Sequence, residues 1–310
     1  MTQQTGVHPA SRAARGEVVL GVVGGSGLYA IEGLEDAKEV VLTTPFGAPS
    51  DAYVAGTLPR TAGRPVRAVF LPRHGRGHVL LPSEINYRAN IHGFKQLGVT
   101  HLVSVSAVGS LREAIAPGHM VVPDQFIDRT VRSPSTFFGS GVVAHVQMGD
   151  PVCPHLRARL LAAAREEGAT VHDGGTCIVM EGPAFSTRAE SQLYRSWGAS
   201  VIGMTALPEA KLAREAEIAY AMLAMSTDYD CWHVSEAQVT VAAVVAVMQQ
   251  NVALSRRLLL RLAAALPEST SELPYPRALE HAIITPAERI PEATRADLDL
   301  ILGHYLSTPS

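Results

Sequence analysis

Two aspartates separated by a single residue are the clearest candidates for chemistry in the sequence. Asp228 and Asp230 follow the apolar run Ala219–Met225, which predicts that both carboxylates emerge at the end of a strand. In an extended chain, residues two apart point to the same side, with their Cα atoms about 6.5–7 Å apart. The pair could therefore bind a metal ion, share a proton or hold two neighbouring polar atoms of a base. Alternatively, the two acids cap a loop or the next helix, both common positions for aspartate.

A basic segment follows another predicted strand. Val66–Leu71 is followed by Pro72-Arg73-His74-Gly75-Arg76-Gly77-His78, so that four side chains able to hold an anion lie within six residues. Ligands of α/β proteins bind at strand ends of this kind. The segment is therefore either an anion site or a basic turn that faces water. The two histidines do not indicate a metal, because no Glu or Cys lies at a helical spacing from them.

Glycines follow the first predicted strand. Glu17–Val23 leads into Gly24-Gly25-Ser26-Gly27, where the backbone can approach a ligand closely and offer its amides to phosphate. The same glycines fit a relaxed dinucleotide-binding fingerprint. That interpretation is disfavoured, because the next strand-like run begins near Lys38, too soon for a crossover helix, and ends in Thr43-Thr44 rather than in an acid. The segment is not a P-loop either, since no GK[ST] follows.

Three strand ends can converge on one oxyanion. The serines and the glycine that follow the strand Leu102–Val105 supply hydroxyls, among them Ser106, and a loosened backbone. This segment is a weak motif by itself. Together with Ser26 and with Arg73 and His74, it could surround a phosphate-like group.

An aromatic residue stands at a further strand end. The Gly/Pro-rich segment Glu181–Thr187 joins a predicted strand to a predicted helix and carries Phe185. Phe185 is either a platform on which a base stacks or, more commonly for such residues, a buried aromatic that fills the core. The segment alone does not decide between the two.

Short β-branched runs alternate with helical patterns along the chain, which is typical of an α/β fold. Several runs are apolar on both faces, as expected for a central sheet covered by helices. The predicted strands are Glu17–Val23, Val66–Leu71, Leu102–Val105, Met120–Val122, Thr176–Met180, Val201–Met204 and Ala219–Ser226. The predicted helices lie over about residues 87–97, 154–167, 187–197 and 241–266, and each ends before a glycine or a proline.

Composition predicts a globular protein in a reducing compartment. Hydrophobic residues make up 47% of the chain, and the net charge of -3 gives no general attraction to nucleic acid or to a membrane surface, so neither partner is expected. Three widely spaced cysteines without a CxxC argue against a disulfide framework and a cysteine zinc site. The first sixteen residues lack a signal-peptide core, and the longest apolar stretch, Val239–Met248, is too short to span a bilayer. The expected location is the cytoplasm.

Nine segments together resemble the methylthioadenosine phosphorylase branch of the purine nucleoside phosphorylases. The matching stretches occur in the family's order over roughly residues 19–262: GVVGGSGLY, TTPFGAPSD, PRHGRGH, PSEINYRANI, SAVGSLREAIAPG, DQFIDRT, EGPAFSTRAES, GMTALPEA and TDYDCW. Each stretch is weak alone, whereas the combination is specific. The resemblance implies a single-domain α/β fold with a twisted central mixed sheet flanked by helices, assembled as a homotrimer.

The resemblance implies phosphorolysis of a 5'-deoxy-5'-substituted adenosine, most of all S-methyl-5'-thioadenosine, to adenine and a 5-substituted ribose 1-phosphate. Inorganic phosphate would be a co-substrate, and neither a cofactor nor a metal would be needed. A phosphorylase with another base or 5' preference, acting on adenosine, 5'-halo-adenosine or inosine, remains an alternative. A nucleosidase that uses water and a non-catalytic adenosine sensor are disfavoured, because the phosphate segments and the acid pair are both present.

The resemblance also assigns roles to individual residues. Phosphate would be held by Ser26, Arg73, His74, Ser106, the backbone amide of Ala107, and Thr205. Met204 would pack under the ribose and Phe185 against the base, while the catalytic pair Asp228 and Asp230 would bind the purine edge. Because protonation of N7 helps the base to leave, we expect Asp228 at N7 and Asp230 at the exocyclic amine, with the reverse assignment as the alternative. The 5' side would be lined by Val239, Val241 and Val244, with His145 reaching in from a neighbouring subunit.

The expected organisation is a flexible segment over residues 1–16, a nucleoside phosphorylase domain over residues 17–266 and a C-terminal extension over residues 267–310. The extension matches nothing in the family, and it is expected to be helical and to pack near the 5' pocket or a subunit interface. Two substitutions depart from the family pattern: Ser26 stands where many members have Thr, and Ala184 where many have Arg.

Overall fold

A computed structural model of the chain describes residues 16–25, 33–60, 63–233, 241–270 and 277–306. The strands of this part of the chain are β1 (Val19–Gly24), β2 (Glu35–Val40), β3 (Tyr53–Leu58), β4 (Val66–Pro72), β5 (His101–Ser110), β6 (Met120–Val122), β7 (Gln125–Arg129), β8 (Val171–Asp173), β9 (Thr176–Met180), β10 (Val201–Gly203) and β11 (Ala219–Tyr229). Its α-helices are α1 (Tyr87–Gln96), α2 (Pro154–Glu166), α3 (Arg188–Ser196), α4 (Ala206–Glu215), α5 (Val241–Ala265), α6 (Glu292–Asp297) and α7 (Asp299–Leu306).

The described strands form one mixed sheet with β5 at its centre. The order along the main path is β2-β3-β4-β1-β5-β10-β9-β7, and β11 pairs with both β5 and β6. Strands β1, β4, β5 and β11 run parallel to one another, whereas β10 pairs antiparallel with the last residues of β5. The carboxyl ends of the four parallel strands therefore meet on one side of the sheet, and the predicted mixed α/β fold is confirmed.

Helices cover both faces of the sheet. On β11, Tyr220, Met222 and Ala224 pack into one core with residues of α1, α4 and α7. The alternate residues Ala221, Leu223 and Met225 pack into a second core with residues of α2 and α5. This alternation follows from the two-residue period of a strand and explains why the run is apolar throughout.

Local sequence determines where the predicted helices begin. The Asn86 side chain accepts a hydrogen bond from the backbone amide of Ala89 and so caps α1. Helix α3 begins with a capping box, in which Thr187 and Glu190 each accept a hydrogen bond from the other's backbone amide. Pro154 opens α2 at a position where no amide donor is needed.

Two strand ends differ from the sequence prediction. Strand β5 continues to Ser110 and β11 to Tyr229, so Ser106, Ala107 and Asp228 lie within strands rather than after them. The pairing of β5 with β11 continues past a bulge between Ser226 and Asp228, which supplies the hydrogen bonds that keep this polar stretch extended.

Several elements were not predicted, namely β3, β7, β8 and α4. Strand β7 reads QFIDR and lacks a run of apolar residues, so no periodic pattern indicates it. Helix α4 contains Pro208 in its first turn and a non-helical Leu207, features that indicate a break rather than a helix.

Residues 277–306 pack against the core that contains α1 and α4. Leu279, Ile290, Leu298 and Leu302 are buried there, and the backbone of Ala144 pairs with that of Ile283. The domain boundaries expected from the sequence stay predictions. Within the described ranges, no helix combines the length and the apolar character that a membrane span requires.

Candidate functional site

A cavity of about 510 Å³ opens where the parallel strands end. Its walls come from the ends of β1, β4, β9 and β10, from the second halves of β5 and β11, and from the segment that follows the basic turn. Most residues predicted for the site line it: Arg73, His74, Ser106, Ala107, Phe185, Met204, Thr205, Asp228 and Asp230. Segments separated by more than 150 residues in the sequence therefore meet around one space.

A buried ion pair fixes Arg73 in the cavity wall. The Arg73 and Glu209 side chains are only 1% and 2% exposed, and Nε of Arg73 donates to Oε1 of Glu209 at 2.5 Å. Nη2 donates to Oε2 of Glu209 at 3.2 Å, to Oγ of Ser104 at 2.7 Å and to the Val23 carbonyl, while Nη1 donates to the Val105 carbonyl. Among the described residues, these contacts engage every N–H of the guanidinium except one on Nη1. Arg73 therefore presents one oriented donor rather than a mobile charge.

The hydrogen bond of His74 fixes its tautomer. Nδ1 of His74 lies 2.8 Å from the carbonyl oxygen of Leu80, which can only accept, so Nδ1 carries the proton. Burial lowers the pKa of His74 to about 4, an effect that the Leu80 hydrogen bond opposes and the nearby Arg73 reinforces. At neutral pH the ring is therefore uncharged, and Nε2 is an acceptor. His74 therefore contributes an acceptor rather than a positive charge to this wall.

Two hydroxyls lie side by side in the same wall. Oγ of Ser106 and Oγ1 of Thr205 are 3.3 Å apart, and both residues are buried. Ser106 comes from β5, whereas Thr205 precedes α4. Because each hydroxyl can rotate to donate, the pair can bind two oxygens of a tetrahedral anion.

The two aspartates line the same cavity further along β5, where Asp228 pairs with Gly109, three residues beyond Ser106. Gly109 lies between them: a methyl group at Gly109 would be 3.4 Å from Cβ of Asp230 and 3.6 Å from Oδ2 of Asp228. Oδ1 of Asp228 accepts a hydrogen bond from Thr227 at 2.6 Å. Burial raises the pKa of Asp228, the Thr227 hydrogen bond opposes the rise, and the negative charge of Asp230 adds to it. Asp228 is thus suited to carry a proton.

Asp230 keeps one acceptor without a partner. Its Oδ2 is buried and has no hydrogen-bond partner within the described ranges. The backbone amide of Asp230 donates to the Ser110 carbonyl and fixes the residue just after β11. A buried acceptor of this kind requires a donor, and in a cavity wall that donor can belong to a ligand.

Met204 and Phe185 line the same cavity. A methyl group at Gly182 would lie 2.6 Å from Sδ of Met204, so the loop of Phe185 and the loop of Met204 touch at this glycine. Gly182 has a φ of +69°, which favours glycine in any case. Phe185 is 83% exposed and therefore is not a core aromatic.

Of the other predicted residues, the structure describes the side chain of His145 but not those of Ser26, Val239, Val241 and Val244. His145 is exposed and lies elsewhere on the surface, its backbone amide bonded to the Ala282 carbonyl. Ser26 and Val239 lie outside the described residues. Val241 and Val244 belong to the first turn of α5, and their side chains also lie outside the description.

Glu209 and the segment from Val79 to Pro82 were missed by the sequence interpretation, although they belong to the site. Glu209 is part of the matching stretch GMTALPEA, but nothing in its spacing connects it with Arg73, 136 residues earlier. The segment Val79–Pro82 follows the basic turn and forms an apolar wall of the cavity. Proximity to the basic turn is the only signal that could have indicated it.

Residues 19–264 match the family model described as the phosphorylase superfamily. The S-methyl-5'-thioadenosine phosphorylase of Geobacter sulfurreducens is 60% identical over 291 residues, which cover 94% of this chain and all of that protein. A methylthioadenosine phosphorylase from an Antarctic soil metagenomic library has a similar structure, with a TM-score of 0.84 and 44% identity over 93% of this chain and 100% of that one. A mutant adenosine/methylthioadenosine phosphorylase of Schistosoma mansoni, solved in complex with methylthioadenosine, gives a TM-score of 0.76 and 34% identity over 93% of this chain and 98% of that one. The chain therefore belongs to the phosphorylase superfamily and, within it, to the family of the S-methyl-5'-thioadenosine phosphorylases.

Proposed function

We propose that this protein catalyses the phosphorolysis of 5'-deoxy-5'-substituted adenosines, S-methyl-5'-thioadenosine above all, to adenine and a 5-substituted ribose 1-phosphate. Its relatives from Geobacter sulfurreducens and from Antarctic soil carry this activity in their names, and the Schistosoma mansoni protein was solved with methylthioadenosine. The cavity supports the same reaction, because hydroxyl and guanidinium donors, a pair of carboxylates and apolar side chains line one space.

The unpartnered Oδ2 of Asp230 carries the proposal for the base. Adenine offers an N–H donor at its 6-amino group, and an ionised carboxylate is acceptor-only, so the two are complementary. Asp228 would address N7 of the same purine edge. Because its pKa is raised, Asp228 can donate a proton to N7 as the bond to ribose breaks, which makes the base a better leaving group.

Phosphate would bind near Arg73, His74, Ser106 and Thr205. The free Nη1–H of Arg73 and the two hydroxyls donate to anionic oxygens. Hydrogen phosphate also has one O–H, which can donate to Nε2 of the neutral His74. A phosphate held there serves as nucleophile at C1' and stabilises the positive charge that develops on the ribose. No cofactor or metal is needed for these steps.

The proposal includes a homotrimer in the cytoplasm, acting in the salvage of methionine and purines. His145 is exposed and away from the cavity of its own chain, as required of a residue that completes the 5' side of a neighbour's site. A heterologous interface that closes into a ring would allow each subunit to lend this residue to the next. Val239, Val241 and Val244 are proposed for the same 5' side.

Steady-state kinetics on adenosines that differ only in the 5' group test the proposal. With phosphate saturating, kcat/KM is expected to be highest for the methylthio compound, lower for the chloro compound and lowest for the hydroxyl compound adenosine. A protein that turns over adenosine as well as methylthioadenosine would be a more general purine nucleoside phosphorylase. Failure to cleave any of the three would refute the proposed reaction.

The base preference gives a further prediction. Wild-type enzyme should favour a 6-amino over a 6-oxo nucleoside with the same 5' group by roughly 10- to 100-fold in kcat/KM, since a buried acceptor–acceptor contact costs about 1–3 kcal/mol. Asp230→Asn supplies a donor and should narrow this ratio. The ratio is measured with methylthioadenosine and methylthioinosine, and equal values for wild-type enzyme would contradict the role of Asp230.

Thr227→Val should shift the pH profile. Asp228 acts in its protonated form, so activity is lost as the pH rises through its pKa. The hydrogen bond from Thr227 favours the ionised form, and removing it raises the pKa further, so the alkaline limb of kcat/KM should move to higher pH by up to about one unit. Thr130→Val is a matched control, because Thr130 makes the same contact to Asp128 outside the cavity. An alkaline limb that stays in place or moves to lower pH would count against Asp228 as the acid.

A further inference from the structure

Arg132 lies behind the wall of the cavity and joins several of its loops. Its side chain is 6% exposed, and it follows β7 in a segment whose chemistry the sequence analysis did not single out. Nη1 donates to the carbonyl of Met204 at 2.7 Å and to the hydroxyl of Tyr87 at 2.8 Å. Nη2 donates to the carbonyls of Met180 at 3.2 Å and Glu181 at 2.5 Å. Nη1 also donates to the carbonyl of Leu207 at 3.4 Å, so five hydrogen bonds extend from one planar group.

The loops that Arg132 joins carry the residues that face the nucleoside. Met204 and Thr205 lie on the loop between β10 and α4, and the Met180–Glu181 carbonyls begin the loop that carries Phe185. The hydroxyl of Tyr87, which accepts from Arg132, donates to the carbonyl of Pro82 at 2.9 Å and so extends the connection to the apolar wall. Arg132 itself does not line the described part of the cavity.

The geometry of a guanidinium explains why arginine is suited to this position. The N–H groups of the planar guanidinium donate in fixed directions, whereas a lysine ammonium is a compact charge with three rotatable donors. The carboxylate of Glu181 forms an ion pair with Arg132 at 3.4 Å from Nε and also accepts a hydrogen bond from the backbone amide of Val131. On the cavity side, the same two loops touch at Gly182 and Met204. The two loops are therefore held together by packing at Gly182 and by the hydrogen bonds of Arg132.

We propose that Arg132 is a positioning residue, which holds the Met204 loop and the Phe185 loop at the separation that the nucleoside requires. The inference rests on the proposed function for the identity of the nucleoside, but the connection between the loops is independent of it. Without Arg132, five part-buried acceptors lose this donor and the two loops can move relative to one another. Displacements of about 1 Å in groups that orient a substrate are sufficient to change rates about 100-fold.

Arg132→Met and Arg132→Lys test the proposal, with Arg129→Met as control because Arg129 is exposed and contacts Trp197 instead of the loops. Arg132→Met is expected to raise the nucleoside KM about tenfold and to lower kcat, with Arg132→Lys intermediate and the control unchanged. A merely structural role would reduce the amount of folded enzyme, which lowers the apparent kcat but cannot change KM. A nucleoside KM for Arg132→Met within about twofold of wild type would overturn the proposal.

Calorimetric titration with adenine provides a second readout that needs no turnover. Adenine is expected to bind wild type and Arg129→Met equally and to bind Arg132→Met about tenfold more weakly. If wild type binds adenine but does not cleave nucleosides, the proposed function fails while the test of Arg132 still stands. Equal adenine affinities for wild type and Arg132→Met would overturn the positioning role.

Discussion

Replacing Asp228 with Asn is expected to lower kcat about 100-fold or more, since general acid catalysis by a positioned side chain contributes about 100- to 10,000-fold. Asparagine keeps the shape of the side chain but cannot transfer a proton to N7. The KM for phosphate should hardly change, because Asp228 lies beyond the bulge of β11 and is hydrogen-bonded to Thr227 rather than to Arg73 or Ser106. Initial rates at saturating nucleoside and varied phosphate give both values.

Asp230→Asn is the matched comparison for this prediction. Both aspartates line the same cavity one residue apart, yet the pKa of Asp228 is raised while Asp230 has an unpartnered acceptor. We therefore expect Asp228→Asn to act mainly on turnover and Asp230→Asn mainly on the choice of base. Equal losses of kcat in the two variants would show that the roles are not divided in this way.

Arg73→Ala is expected to raise the KM for phosphate about 10- to 100-fold, since a hydrogen bond to a charged group contributes about 1.5–3 kcal/mol. The same change leaves Glu209 buried without its partner. Breaking a buried ion pair from one side costs about 3–5 kcal/mol, so the melting temperature should fall as well. Kinetics must therefore be measured below the melting transition of the variant.

Arg76→Ala separates the effect of the site from that of positive charge in general. Arg76 lies three residues after Arg73, but it is exposed and pairs with Glu39 and Asp51. Its removal should leave the phosphate KM and the melting temperature almost unchanged. If Arg73→Ala has the same KM for phosphate as wild type, Arg73 does not bind the phosphate.

The positions of most strands, and of the acidic and basic residues that follow two of them, could be predicted because both depend on local patterns. The apolar run of β11 and the acids after it lie within a dozen residues, as do the strand β4 and the basic turn. The pairing of Arg73 with Glu209 could not be predicted, because it depends on where α4 packs against the sheet. That helix was missed since Pro208 stands in its first turn.

The tautomer of His74 and the role of Arg132 depend on contacts that spacing in the sequence does not reveal. The position of the proton on the His74 ring follows from the Leu80 carbonyl, which reaches the ring only through the turn of the intervening glycines. The role of Arg132 follows from the carbonyl of Met180 on β9 and that of Met204 just after β10, 48 and 72 residues away. Ser106 and Ala107 lie within a strand because β5 continues to pair with β11, a tertiary effect that overrides the local glycine signal.

The stoichiometry of the products tests the central claim, that phosphate is the nucleophile. Adenine and sugar phosphate are quantified after incubation of methylthioadenosine with the enzyme, in buffer with and without inorganic phosphate. Phosphorolysis predicts one equivalent of 5-methylthioribose 1-phosphate for each adenine released, and almost no adenine when phosphate is omitted. Adenine released at the same rate without phosphate, together with free methylthioribose, would contradict the account.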